Sequence, residues 1–203
     1  MVRAIVFDMG GVLIDLDPKA CIQAFLDILG YERIKELIDP YHQKGIYGEL
    51  EEGSISADEF RAAVLAESRP GCRPEDVDRC MDAMITGMEP YKADLLRELS
   101  RKYPLYLLSN NNEMARIRFH KILSHLGLDW RSVFREEFCS FQMKRLKPDP
   151  EFFKEAVRRM GLPPEEILFV DDSPVNVDVA RSLGINAVLC PQGGDLRKVF
   201  EGF

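Results

Sequence analysis

Three short apolar runs, each closed by a polar residue, most constrain what this chain can fold into. They are Ala4-Ile5-Val6-Phe7 before Asp8, Leu105-Tyr106-Leu107-Leu108 before Ser109, and Ile167-Leu168-Phe169-Val170 before Asp171. A strand with one face in water alternates apolar and polar residues, so continuous runs of this length require cover on both faces. A fourth run, Ile185–Cys190, stops at Pro191, and Phe138–Phe141 is a weaker candidate. The segments between the runs carry helix punctuation. Asp149-Pro150 supplies an N-cap and a proline at the first helical position, with Gly161 closing that helix. Asn112–Leu126 ends at Gly127, and Pro174–Leu183 ends at Gly184. From Leu105 onward strand and helix alternate, which predicts an α/β fold with a doubly wound parallel sheet, whose ligands bind at the carboxyl ends of the strands.

Residues 16–90 break that alternation. Asp17-Pro18 predicts a helix running to Gly30, Ser56-x-x-Glu59 is a capping-box pattern before another, and Pro74 begins a third through Met88. No strand is expected there, so the chain divides into a core of residues 1–15 and 91–203 and an inserted helical unit of residues 16–90. The length of 203 residues suits one domain carrying such an insertion. A net charge of −7 with no Lys/Arg block argues against a nucleic-acid partner. No apolar run approaches the roughly 20 residues of a membrane span, and Asp8 interrupts the N-terminal apolar run before it resembles a signal peptide. The five cysteines are odd in number and scattered without a C-x-x-C, which fits a reducing cytoplasm.

Parallel strands bring Asp8, Ser109 and Asp171-Asp172 to one edge of the sheet. Carboxylates gathered there repel one another, and a divalent cation relieves the repulsion. An all-oxygen set of this kind suits Mg²⁺. Lys147, in the turn before the Pro150 helix, supplies a compact positive charge to the same edge. Ser109 offers a hydroxyl, and the backbone N–H groups that start the next helix favour an anion. Together these groups describe a phosphate site.

Asp8-Met9-Gly10-Gly11-Val12, Leu107-Leu108-Ser109-Asn110, Lys147-Pro148 and Val170-Asp171-Asp172-Ser173 resemble the four ordered motifs of the haloacid dehalogenase-like hydrolases. The variant is similar to that of bacterial sugar 1-phosphate phosphatases and of the phosphatase domain of soluble epoxide hydrolases. The resemblance implies a Rossmann-like core with a helical cap inserted after the first motif. It implies a Mg²⁺-dependent phosphatase of small phosphorylated metabolites; the chain is expected to act as a monomer or homodimer, without membrane or nucleic acid. By the same resemblance Asp8 is the nucleophile that forms an aspartyl-phosphate, and the Gly10 carbonyl contacts Mg²⁺. Ser109 and Asn110 meet the phosphoryl group, and Lys147 holds both nucleophile and phosphate. Asp172 ligates the metal directly and Asp171 through water, with Asn176 as a supporting partner.

One departure matters. The family's usual acid/base aspartate, two residues after the nucleophile, is replaced here by Gly10. General acid–base help is worth about 10²–10⁴-fold, so its loss favours substrates with stable leaving groups, such as sugar 1-phosphates. A water, or a cap residue such as His42, Glu49 or Glu51, is a candidate substitute. Rival readings are a phosphonatase, for which Lys35 and Lys44 are the candidate Schiff-base lysines, a metal-free dehalogenase, and a non-catalytic phosphometabolite-binding regulator. Elsewhere, Cys80, Met81, Met84 and Met88 read as packing residues. His42, His120 and His125 lack metal spacing, and Asp15 and Asp17 cap or hinge the insertion. The segment 47–53 is either a substrate-selecting loop or a solvated acidic turn.

Overall fold

The computed structural model describes residues 1–39 and 43–201. Its strands are β1 (Ala4–Phe7), β2 (Asp15–Leu16), β3 (Ile85–Gly87), β4 (Leu105–Ser109), β5 (Phe134–Cys139), β6 (Ile167–Asp171) and β7 (Asn186–Leu189). Five of them form the core sheet in the order β5-β4-β1-β6-β7, every neighbouring pair parallel. The two shortest, β2 and β3, form a separate antiparallel pair. The weak candidate run at Phe138–Phe141 thus marks only the end of β5, whose first residues are too polar to stand out in the sequence. Ser140–Met143 forms a short helix instead.

Both faces of the sheet are covered, which is why the central strands read as unbroken apolar runs. On β1, Ile5 and Phe7 enter one core cluster with Leu105, Leu107, Leu168 and Val170. Ala4 and Val6 enter the opposite cluster with Tyr106, Leu108, Ile167 and Phe169. The period-2 alternation of a strand is intact; each half of it meets its own apolar layer.

The helix punctuation acts as the residue types require. Asp17 accepts the Ala20 N–H ahead of helix Pro18–Ala24, which continues through a π turn to Leu29 and Gly30. Ser56 and Glu59 complete a reciprocal capping box on helix Ala57–Ala66. Asp149 and Asn112 cap the helices Pro150–Met160 and Glu113–His125. Two expectations for residues 16–90 are corrected. The helix that begins at Pro74 ends at Asp82 rather than Met88, and the region contains strand. Leu16 and Ile85–Gly87 pair where the chain leaves the core and returns to it. Such two- and three-residue strands are too short to show a period, and their pairing depends on the two crossings running side by side. Segment 47–53 is neither loop nor turn: it lies within helix Gly45–Glu52 and its Gly53 cap. Asp15 forms an ion pair at 3.1 Å with Lys92, whose side chain is 1% exposed, and so ties the first crossing to helix Pro90–Ser100.

Candidate active site

Register brings the chemistry together. Phe7 pairs with Leu107 on one side and Val170 on the other, so the polar residues that follow each strand share one sheet edge. Asp8 follows β1, Ser109 ends β4, and Asp171 ends β6. One carboxylate oxygen each from Asp8, Asp171 and Asp172 lies within 4.8 Å of the others.

Lys147 enters this cluster from below, with its side chain 1% exposed. Its Nζ is 2.9 Å from Asp8 Oδ1 and 2.6 Å from Asp171 Oδ2. Asn110 fixes the backbone of that lysine. Its Oδ1 accepts the Lys147 N–H at 2.7 Å, and its Nδ2 donates to the Lys147 carbonyl at 2.9 Å. Asp171 is fully buried, and its other oxygen accepts the Ser173 N–H at 2.8 Å and Asn176 Nδ2 at 3.0 Å. Asp8 accepts the Met9 N–H at 2.7 Å and keeps a narrow opening to the surface.

Burial dominates the electrostatics. It pushes the Asp8 carboxyl up to about 7, with Lys147 pulling it back and Asp171 and Asp172 pushing it further. Asp172 is raised by burial and by Asp171. Burial works against the charge on Lys147, yet the attraction of Asp171 and Asp8 outweighs it, and the net direction is upward. Three carboxylates facing one ammonium leave an excess of negative charge in a dehydrated site. An oxygen-coordinated dication answers that excess, and the donor set fits Mg²⁺.

Gly11 is the participant to which the sequence motifs gave no role. Its φ is +75°, and a Cβ built there would lie 2.1 Å from Asp172 Oδ2. The backbone therefore passes so close to this carboxylate that no side chain fits. Gly11→Ala is expected to displace Asp172 and weaken Mg²⁺ binding about tenfold or more, as disruption around a metal ligand does; isothermal titration calorimetry checks this.

A cavity of about 490 Å³ opens above the cluster. Asp8, Gly10, Asn110, Lys147 and Asp172 line it from the core, and Asp39, Gln43 and Glu51 line it from the insertion. A smaller chamber of about 80 Å³ adjoins it, bounded in part by Met9, Tyr47, Met81, Met84 and Met114. Cys80, Met81, Met84 and Met88, read as packing residues, lie in the core cluster, with Met81 and Met84 also facing this chamber. Ser109 is 1% exposed, does not line the large cavity, and donates weakly to the Asn110 carbonyl at 3.4 Å. Of the substitute acids, Glu51 reaches the cavity, Glu49 is exposed away from it, and His42 lies outside the described residues. Lys35 and Lys44 are on the surface, paired with Glu32 and Asp39, and neither lines the cavity. Ser140, which no motif flagged, is fully buried between Asn111 and the Glu51 carbonyl.

The same architecture recurs in known proteins. The family model described as haloacid dehalogenase-like hydrolase matches residues 2–184. A D-ribitol-5-phosphate phosphatase from Bacteroides thetaiotaomicron is 33% identical over 98% of this chain and 96% of its own. A mutant haloacid dehalogenase family enzyme from the same organism, crystallised with magnesium and inorganic phosphate, superposes with a TM-score of 0.93 at 32% identity, covering 98% of this chain and 99% of that one. A HAD-like hydrolase structure from Porphyromonas gingivalis gives 0.88 at 32% identity, over 100% of this chain and 97% of that one. The motif order, the parallel sheet with its carboxylate edge, and these likenesses over nearly the full length agree: the chain belongs to the haloacid dehalogenase-like hydrolase family.

Proposed function

We propose that this chain is a Mg²⁺-dependent phosphatase of small phosphorylated metabolites, with Asp8 as its nucleophile. The observation that carries the reading is the Asp8–Lys147–Asp171–Asp172 cluster at the floor of a cavity sized for a small metabolite. Asp8 attacks phosphorus in line and forms an aspartyl-phosphate, which water then hydrolyses. Lys147 favours the anionic form of the Asp8 carboxyl against the effect of burial and attracts the phosphoryl group. Asn110 positions Lys147 through both of its backbone groups. Asp8, the Gly10 carbonyl and Asp172 would hold Mg²⁺ directly and Asp171 through water, with Asp171 itself held by Asn176 and Ser173. Bound Mg²⁺ neutralises charge on the phosphoryl oxygens. Ser109 supplies its hydroxyl from beneath the floor, turning from its weak acceptor toward the phosphate.

Residues 16–90 form the cap that closes over the phosphate and excludes water. The paired crossings β2 and β3 form its hinge. The chain acts as a monomer or a homodimer. No helix among the described residues is long and apolar enough to cross a membrane. The five unpaired cysteines support a cytoplasmic location.

D-Ribitol 5-phosphate, named for the Bacteroides relative, is an ester of an unactivated primary alcohol. The substrate class therefore spans alkyl phosphates of polyols and sugars as well as sugar 1-phosphates. A screen of both kinds with flavin mononucleotide, with and without Mg²⁺, tests the reading. Failure of every phosphate ester to turn over with Mg²⁺ rejects it.

A pH dependence follows from the carboxylates. Asp8 titrates near 7 when folded, against 3.8 as an ordinary carboxyl. Between those values the folded chain holds a proton that the unfolded chain has released. The metal-free protein therefore loses stability as pH rises through that window. Mg²⁺ competes with the same proton. Its stabilisation is expected to be larger at pH 8 than at pH 5.5, measured as the shift of the melting midpoint. Equal shifts at the two pH values contradict this account.

A further inference from the structure

We propose that Glu51 is the acid/base catalyst of this enzyme, protonating the leaving-group oxygen and then deprotonating the hydrolytic water. The assignment rests on the phosphatase reading and names the group that takes over the function absent at position 10. In-line displacement puts the leaving oxygen on the side of phosphorus opposite Asp8. That side faces the insertion, so an acid borne by the insertion can reach it.

Position 10 offers no such group. A Cβ on Gly10 would come within 2.9 Å of Leu16 Cδ1. From the insertion, the ionisable side chains that line the large cavity among the described residues are Asp39 and Glu51. Asp39 is paired with Lys44 at 3.1 Å, and its N–H donates to Gln43 Oε1. The Glu51 carboxyl has no hydrogen bond or ion pair among the described residues. Among the described residues it is also the one ionisable residue that lines both the phosphate cavity and the adjoining apolar chamber. It thus stands at the junction that a leaving group crosses.

Its placement is fixed from the core. Ser140 Oγ lies 2.6 Å from the Glu51 carbonyl and accepts the Asn111 N–H at 3.0 Å. One residue beyond the helix, the Gly53 carbonyl accepts from Lys144. The C-terminal end of helix Gly45–Glu52 is therefore fastened to helix Ser140–Met143, which follows β5 directly. Asp8, Lys147 and Asp172 line the cavity from the core, while Asp39 and, in the chamber, Asp82 line it from the insertion. Burial first, and then the charge of Asp8, push the Glu51 carboxyl up to about 8, so it carries its proton at neutral pH. A general acid is most effective when it is protonated and titrates near the working pH.

The steps balance. As the Asp8 carboxylate oxygen bonds to phosphorus, the bond from phosphorus to the ester oxygen breaks, and the Glu51 proton passes to that oxygen to release the alcohol. Glu51, now a carboxylate, takes a proton from water as the water oxygen bonds to phosphorus and the Asp8–phosphate bond breaks. The net reaction is ester plus water to alcohol plus phosphate, with both carboxyl groups restored.

The test compares leaving groups. Wild type, Glu51→Gln and the double variant Glu51→Gln/Gly10→Asp are assayed with Mg²⁺ on D-ribitol 5-phosphate and on p-nitrophenyl phosphate. Glu51→Gln is expected to lower kcat/KM for the alkyl ester about 10²–10³-fold and for the aryl ester less than about tenfold, because the aryl oxide needs little protonation. Restoring a carboxyl at position 10, with Leu16 yielding, is expected to recover part of the alkyl loss and to lower the aryl rate no further. A second readout is independent of turnover. Carbon-13 NMR of glutamate-labelled, metal-free protein is expected to show one side-chain carboxyl titrating near 8 that disappears in Glu51→Gln. Equal losses on the two esters, or none on the alkyl ester, overturn the assignment while the phosphatase reading stands. A wild type inactive on both esters, with the broader screen also negative, overturns both.

Discussion

Asp8→Asn is expected to lower phosphate-ester turnover about 10⁴-fold or more, as loss of a covalent nucleophile does. The fold should survive. Asparagine is isosteric and neutral, and burial already works against the charge on Asp8. The melting midpoint of metal-free protein at pH 8 is therefore expected to be no lower than that of wild type. The amide oxygen introduced at position 8 can still face the dication, so Mg²⁺ binding should weaken without vanishing. That outcome separates loss of the attacking atom from loss of the metal. Steady-state phosphate release on alkyl and aryl esters reads the effect. Acid quench with labelled substrate should trap a phosphorylated protein from wild type and none from the variant. A residual rate within about a hundredfold of wild type means that another group attacks phosphorus.

Lys147→Met is expected to damage both stability and catalysis. Nζ lies between Asp8 and Asp171 at 2.9 and 2.6 Å, with the side chain almost wholly out of water. Methionine fills much the same volume but leaves both carboxylates without their cation. Removing one partner of a buried pair costs about 3–5 kcal/mol, and the metal-free variant should lose stability of that order at pH 7.5. As pH falls the abandoned carboxylates take up protons, and the difference from wild type should narrow by pH 5. Added Mg²⁺ should also recover part of it by supplying positive charge to the same oxygens. Turnover with saturating Mg²⁺ should fall about 10²–10³-fold, the scale for losing one preorganised electrostatic partner of a phosphoryl group. Urea unfolding at the two pH values, with and without Mg²⁺, gives the first result, and ester hydrolysis gives the second. A stability loss independent of both pH and Mg²⁺ indicates that Lys147 acts through packing alone. Its position 5.5 Å over the Phe169 ring makes that alternative measurable.

The two variants act on residues that were legible in the sequence for a simple reason. Asp8 and Asp171-Asp172 stand at the ends of apolar runs, and parallel pairing places such ends together whatever surrounds them. Lys147 was legible through its place between a strand and a proline-led helix. The helix boundaries at Asp17, Ser56, Asn112 and Asp149 were equally local, because each cap bonds a backbone group within three residues of itself. The β2–β3 pair was hidden because its partners are some 70 positions apart and too short to show a period of their own.

The residues around Asp8 divide along the same line. Asn110 reads from the chain as a residue beside the phosphate, yet its amide is spent on both backbone groups of Lys147. Ser109 reads as a hydroxyl on the floor, yet it lies just beneath it. Gly11 looked like one of a glycine pair, and its closeness to Asp172 depends on how the first and last motifs meet. Glu51 was one of three substitute acids on equal terms. What distinguished it from Glu49 on the same helix was that it reaches the cavity, its carbonyl held by Ser140 across 89 positions.

By itself, then, the sequence determined the parallel sheet, the order of its motifs and Asp8 at the end of the first strand. Those properties depend on short-range periodicity, capping and the shared direction of parallel strands. Only the tertiary structure decided what faces Asp8 across the cavity and how Lys147 is held there. Those depend on packing between segments far apart in the chain, where rigid helices fix the distances and no local pattern records them.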